Sequence, residues 1–209
     1  MRQNISGKKA FTGEKMVLKR YDEIAALLRE KLPEKRYNHT LGVAYLAAAI
    51  AMNYGEDYDS AMLAGMLHDC AKCYSDEFMV SECEKNKVEL TESEKRTPSL
   101  IHSKLGAYYA QTMYNVHDEN ILNAIRFHTT GRPRMTFLEK NIFLSDYIEV
   151  HRMQNTSPNL DIIRKTAFTD LDRAVLYALE NTIGYLKANK YEIEHTTIDT
   201  YEYYKNLHK

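Results

Sequence analysis

The chain has 209 residues, enough for one well-buried core and too few for two full domains of ordinary size. Hydrophobic residues at 44% and charged residues at 27% are the proportions of a soluble globular protein. A formal charge of −1 gives no global field to draw nucleic acid, and the longest near-continuous apolar run, Leu41 to Met52, is too short to span a bilayer.

Helical spacing of apolar residues dominates along the chain, and strand-like alternation is nearly absent. Residues 1–19 carry scattered Lys and Arg without an apolar signal core and read as a flexible lead-in, while 20–209 reads as one domain. Ile24, Leu27 and Leu28 mark a first helix that ends before Pro33, which can open the second. That second helix carries Tyr37, Leu41, Ala44 and Ala48 and stops near Gly55. Asp57 or Asp59 caps a third, running through Ala61, Ala64, Leu67 and His68. The polar stretch from Ser75 to Glu94 holds short helical pieces and a capping box formed by Thr91 and Glu94.

Thr97-Pro98 reads as the N-cap and first position of a helix bearing His102, Leu105 and Tyr109. Asp118 caps the next, through Ile121, Leu122, Ile125 and His128, with Gly131 ending it. Thr136 and Glu139 make a second capping box, opening a helix with Leu138, Ile142 and Asp146. Ser157-Pro158 and then Thr169 or Asp170 begin the last helices, rich in Leu, Ile and Tyr. Cys70, Cys73 and Cys83 are an odd set without an export signal, so reduced thiols in the cytoplasm are expected rather than a disulfide framework.

Six polar residues break the apolar pattern: His39, His68, Asp69, His102, His128 and Asp146. His128 falls three residues after Ile125 and seven after Ile121, and Asp146 four after Ile142, so both fall on core-facing stripes. An imidazole or carboxylate there is costly to desolvate without a strong partner. Taken singly, each histidine has a plainer reading as a hydrogen-bonded core residue. The dipeptide His117-Asp118 is a useful control, because Asp118 there precedes a helix and capping explains it. His68-Asp69 ends an apolar stretch, where N-terminal capping is not available. Together the six point from five helices to one interior metal site, as bundle-core sites do.

The order of these ligands resembles the HD-domain metal-dependent phosphohydrolases of the branch with two metals. The strings Arg36-Tyr37-Asn38-His39-Thr40, Leu67-His68-Asp69-Cys70-Ala71-Lys72, His128-Thr129-Thr130-Gly131 and Asp146-Tyr147-Ile148-Glu149-Val150-His151-Arg152 resemble the YqeK-like group, the symmetrical diadenosine tetraphosphate hydrolases. Val150 departs from that group's pattern, which has Pro after the Glu149 position. The resemblance implies an all-α, single HD-domain-like helical bundle with a buried dinuclear metal site. It implies Asp69 bridging two ions, with His39, His68 and Asp146 completing one site and His102 and His128 the other. Nitrogen and carboxylate ligands suit iron, manganese or zinc, and the resemblance favours iron. Asp69 and Lys72 are then the catalytic candidates. Arg36, Lys72, Thr129, Arg134, Glu149 and Arg152 are candidates for holding a nucleotide or dinucleoside polyphosphate, with Arg132 beside Arg134 in the same loop.

Three other readings share the ligands: a different HD phosphohydrolase of nucleotides, a di-iron oxygenase, and a non-catalytic nucleotide sensor. The Tyr-rich C-terminal segment (Tyr185, Tyr191, Tyr201, Tyr203, Tyr204) offers either core or the surface of a homodimer.

Overall fold

The computed structural model describes the backbone over residues 11–152 and 159–208, and side chains from Arg20 onward. Every regular element among the described residues is helical. The first helix, α1 (Phe11–Lys31), already includes part of the segment expected as lead-in, and Ser157-Pro158 lies outside the described residues. Pro33 then occupies the N-cap of α2 (Glu34–Tyr54). Gly55 ends α2 in the left-handed region, φ 71°, where a side chain would be strained, and its N–H returns to the carbonyls of Ala51 and Met52.

Asp57, not Asp59, caps α3 (Tyr58–Leu67), accepting from the N–H groups of Asp59 and Ser60. Ser75 caps α4 (Asp76–Lys85), and the Thr91–Glu94 capping box opens the short α5 (Glu92–Arg96). Thr97 departs from its expected role: its side chain caps nothing, and Pro98 opens a single 3₁₀ turn (Pro98–Leu100) that feeds α6 (Ile101–Thr112). Asp118 caps α7 (Glu119–Arg126), and the Thr136–Glu139 box opens α8 (Phe137–Ile148). Then follow α9 (Leu160–Thr166), α10 (Leu171–Ala188), capped by Asp170, and α11 (His195–Leu207).

Two apolar clusters hold these helices. One joins Ile24 and Leu28 of α1 to Ala44, Ala47 and Ala51 of α2, Leu63 and Leu67 of α3, Leu105 of α6 and Ile125 of α7. The other joins Phe143 and Leu144 of α8 to Ile163 of α9, Val175 and Leu179 of α10 and Tyr204 of α11. Tyr204 is buried while Tyr185 and Tyr191 are exposed, so the C-terminal tyrosines divide between core and surface.

The tightest joint is between α2 and α3. A Cβ placed on Gly65 would lie 2.6 Å from the Cα of Ala44 and 3.0 Å from its nitrogen, closer than real side chains approach. Gly65 and the alanine stripe of α2 therefore let two backbones nearly touch. This contact sets the spacing of His39 and His68, whose ring centroids lie 5.5 Å apart.

Gly65→Ala should destabilise the fold by about 1–3 kcal/mol, the usual cost of overpacking. Urea unfolding of the two proteins measures it, and equal midpoints would show that the helices can separate freely.

Candidate metal centre

His39 projects from α2, His102 from the first turn of α6 and Asp146 from the last turn of α8. His68 and Asp69 follow the end of α3 directly, where Cys70 N–H donates to Leu67 O (3.1 Å) and Lys72 N–H to Asp69 O (2.9 Å). His128 also lies just beyond its helix: α7 stops at Arg126, and Gly131, at φ 63°, closes the turn that follows. The expected continuation of that helix to Gly131 is thus replaced by a turn. So is the helical spacing expected to bring Lys72 beside His68 and Asp69. The turns nonetheless carry the Lys72 ammonium to 3.0 Å from His102 Nδ1.

The six side chains meet around Asp69. Its Oδ1 faces His102 Nε2 (3.3 Å) and His128 Nε2 (3.8 Å). Its Oδ2 faces His68 Nε2 (3.5 Å) and His39 Nε2 (3.9 Å). Asp146 Oδ1 lies 2.9 Å from His39 Nε2 and 3.8 Å from His68 Nε2. Ligand atoms of His39, His68 and Asp146 fall within 4.8 Å of one another, and so do those of His68, Asp69 and His128. His68 thus stands between the two groups. His102, expected in the second group, touches both His128 and Asp69 in it.

The other ring nitrogen of each histidine is already committed. Nδ1 of His68, His102 and His128 lies 2.7, 2.6 and 2.7 Å from the carbonyls of Gly65, Ser99 and Ile125, each three residues earlier. His39 Nδ1 lies 3.0 Å from Glu149 Oε1. A carbonyl or carboxylate only accepts, so these contacts place a proton on Nδ1, and each ring, when neutral, then presents a lone pair at Nε2; at His102 the Lys72 ammonium shares the Nδ1 side. His102 Nε2 and His128 Nε2 are 3.1 Å apart, and with both rings neutral and protonated at Nδ1 their lone pairs would repel unless a cation lay between or beside them. His39 Nε2 and His68 Nε2 are buried with no aligned hydrogen-bond partner, although the first comes within 2.9 Å of Asp146. Orphaned acceptors, two carboxylates and prepared tautomers fit transition-metal ions, whose histidine ligands bind through a neutral ring.

At His128 the electrostatics agree with a neutral ring, whereas at His68 the carboxylates favour the charged form when no cation is bound. Burial and the neighbouring His102 and His68 push His128 down to about 3, holding it neutral. Burial opposes the charged forms of Asp69 and Asp146, yet His68 and His102 beside the first, and His39 beside the second, hold both well below the usual carboxylate range. Burial likewise opposes a charged His68, but Asp69 and Asp146 outweigh it and raise its pKa.

The basic candidates divide. Arg36 Nη1 donates to Asp69 Oδ2 at 2.7 Å, and Arg152 Nη2 to Asp146 Oδ1 at 3.2 Å, so both guanidinium groups rim the cluster. Lys72 donates to Ser99 O at 3.1 Å, and burial lowers its pKa. Arg132 is drawn away instead, pairing with Glu139 at 2.7 Å and lying over the Phe127 ring. Arg134 is exposed in the loop after His128, at φ 58°, and the Thr129 hydroxyl is buried without a partner. Glu149 is turned inward behind His39, only 1% exposed. Sequence reasoning missed the three carbonyls that set the histidine tautomers. Their common offset of three residues is the signal that could have found them.

The HD-domain family model matches residues 36–165, and the chain belongs to that family. It is 40% identical over 175 residues to the symmetrical bis(5'-nucleosyl)-tetraphosphatase of Halalkalibacterium halodurans, spanning 84% of this chain and 91% of that one. With the enzyme of the same description from Bacillus subtilis it shares 39% over 184 residues, 87% of this chain and 96% of that one. A crystal structure from Clostridium acetobutylicum, described as a "predicted HD superfamily hydrolase involved in NAD metabolism", superposes with a TM-score of 0.85 at 39% identity. That superposition covers 90% of this chain and 97% of the other.

The metal-free protein should weaken in acid before its carboxylates titrate. Between about pH 6.5 and about 3 the unfolded chain binds a proton that buried His128 refuses, so stability falls as pH falls, by up to ~1.4 kcal/mol per unit. His68, with its raised pKa, acts in the other window, losing its contribution as pH rises above about 6.5. Urea unfolding of chelator-treated protein at pH 7, 6 and 5 measures the acid slope. His128→Gln should flatten it, and an unchanged slope in that variant would refute the assignment.

Proposed function

We propose that this protein hydrolyses dinucleoside tetraphosphates, diadenosine tetraphosphate first among them, at the central bridge to give two nucleoside diphosphates. One observation carries the reading: His39, His68, Asp69, His102, His128 and Asp146 converge on one point. They do so in a chain 40% identical to a symmetrical tetraphosphatase over 84% of its length. His39, His68 and Asp146 would hold one ion and His102 and His128 another, with one oxygen of Asp69 turned to each. Iron is the favoured occupant, and manganese or zinc would fit the same donors. When bound, such a pair supplies a water-derived nucleophile at neutral pH and polarises the phosphoryl group under attack.

The chain's own groups do the rest. Lys72, Arg36 and Arg152 offset charge on the phosphate oxygens, the two arginines already resting on carboxylates of the cluster. A polyphosphate entering the site would compete with Asp69 for Arg36 and with Asp146 for Arg152, so both are placed to turn toward substrate without large motion. Thr129 would add a hydroxyl donor and Arg134 a charge from the loop.

Among the described residues no helix is long and apolar enough to cross a membrane. Cys70, Cys73 and Cys83 are free thiols, which supports a cytoplasmic location for the proposed enzyme. A homodimer through the exposed Tyr185 and Tyr191 belongs to the same proposal.

The test is product analysis with metal-loaded protein and diadenosine tetraphosphate. ADP should be the only nucleotide product, and His68→Ala or Asp69→Ala, which remove proposed ligands themselves, should cut turnover by more than the ~10–100-fold typical of losing an outer partner. Intact substrate, or release of ATP with AMP, would overturn the assignment.

A further inference from the structure

Three of the four clustered histidines find an acceptor for Nδ1 in a nearby carbonyl. His68 and His128 follow the last turns of α3 and α7, where carbonyls lack intrahelical donors, and His102 follows the 3₁₀ turn. His39 has no such acceptor. It lies inside α2, whose carbonyls are engaged by the helix's own N–H groups. Its ring must be held by a side chain from elsewhere.

That side chain is Glu149, 110 residues away, just past the end of α8. Its Oε1 takes His39 Nδ1 at 3.0 Å. Its Oε2 accepts the His151 N–H at 2.8 Å and lies 2.9 Å from His151 Nδ1. The main chain around it is pinned by Arg164 of α9, which donates to the carbonyls of Ile148 (2.9 Å), Glu149 (3.0 Å) and Arg152 (3.1 Å). Space for the carboxylate comes from Gly42, one turn along α2 from His39, where an added Cβ would sit 3.0 Å from Oε2. This buried carboxylate is thus engaged at both oxygens, Oε1 on the His39 ring and Oε2 on the main chain and ring of His151.

We infer that Glu149 is a positioning residue that fixes His39 in its Nε2-accepting tautomer and raises that ring's basicity toward a metal ion, with Gly42 making the room and Arg164 holding the loop. This gives Glu149 a role other than the substrate contact expected from the sequence, and it rests on the metal-ligand reading of His39 proposed above. Carboxylate–histidine–metal arrangements of this kind typically change affinity ~10–100-fold when the outer partner is lost.

The test is titration of chelator-treated protein with Mn²⁺ alone, following free ion by electron paramagnetic resonance. Glu149→Gln, nearly isosteric, should weaken one of two binding steps by ~10–100-fold and leave the other within about threefold. Gly42→Ala should weaken the same step less, because its methyl displaces Oε2 without removing the charge. Glu139→Gln, which disrupts another buried carboxylate paired with Arg132, should lower stability without moving either step. If Glu149→Gln and Gly42→Ala both bind Mn²⁺ as the wild type does, or if Glu139→Gln weakens binding equally, the role assigned to Glu149 falls. Wild-type protein that shows the predicted Mn²⁺ pattern but leaves diadenosine tetraphosphate intact would sink the substrate assignment alone. Active wild type with an unaffected Glu149→Gln would sink this inference alone.

Discussion

Four imidazole rings, each with Nδ1 on an acceptor behind it, turn Nε2 to the same small volume, around the carboxylates of Asp69 and Asp146, where the neutral rings would present four lone pairs. A lone pair buried without a donor is costly, and two facing each other at 3.1 Å are worse. The helices must hold this arrangement against its own repulsion, and cations would relieve it. The close crossing at Gly65 and Ala44 is one device that holds it, since Gly65 also supplies the carbonyl that fixes His68. Packing and site chemistry therefore share a residue.

The same logic explains why the ligands sit where helices end. His68, Asp69 and His128 occupy turns just after α3 and α7, where carbonyls lose their intrahelical donors and can take a ring N–H. His39 is the exception and takes a carboxylate from the end of α8, which packs against α2. The exits also keep Lys72 near His102, although the regular helix that was expected to carry it has already stopped. The capping boxes serve two ends as well. Glu94 takes Lys104 at 2.7 Å and Glu139 takes Arg132, so each box also ties its helix to a distant or neighbouring segment.

Much of this was legible in the sequence because helix starts have local signatures. Asp57, Thr91, Asp118, Thr136 and Asp170 cap as their neighbours require. The six clustered residues stood out because polar groups on apolar stripes need a reason. Thr97 misled because Pro98 suits a 3₁₀ turn as well as an α-helical first turn. The ends of α3 and α7 were not legible, since apolar spacing continues through the turns that follow. Glu149 looked like a substrate contact because sequence shows its neighbours, Asp146 and Arg152, but not that its side chain points back at α2.

Metal stoichiometry after anaerobic reconstitution of the chelator-treated protein with ferrous iron tests the central claim most directly. Two ions per chain are expected, falling to one or fewer when the shared carboxylate is removed in Asp69→Ala. A wild-type chain that retains none, or an Asp69→Ala chain that still retains both, would contradict the account of these side chains as a paired ion site.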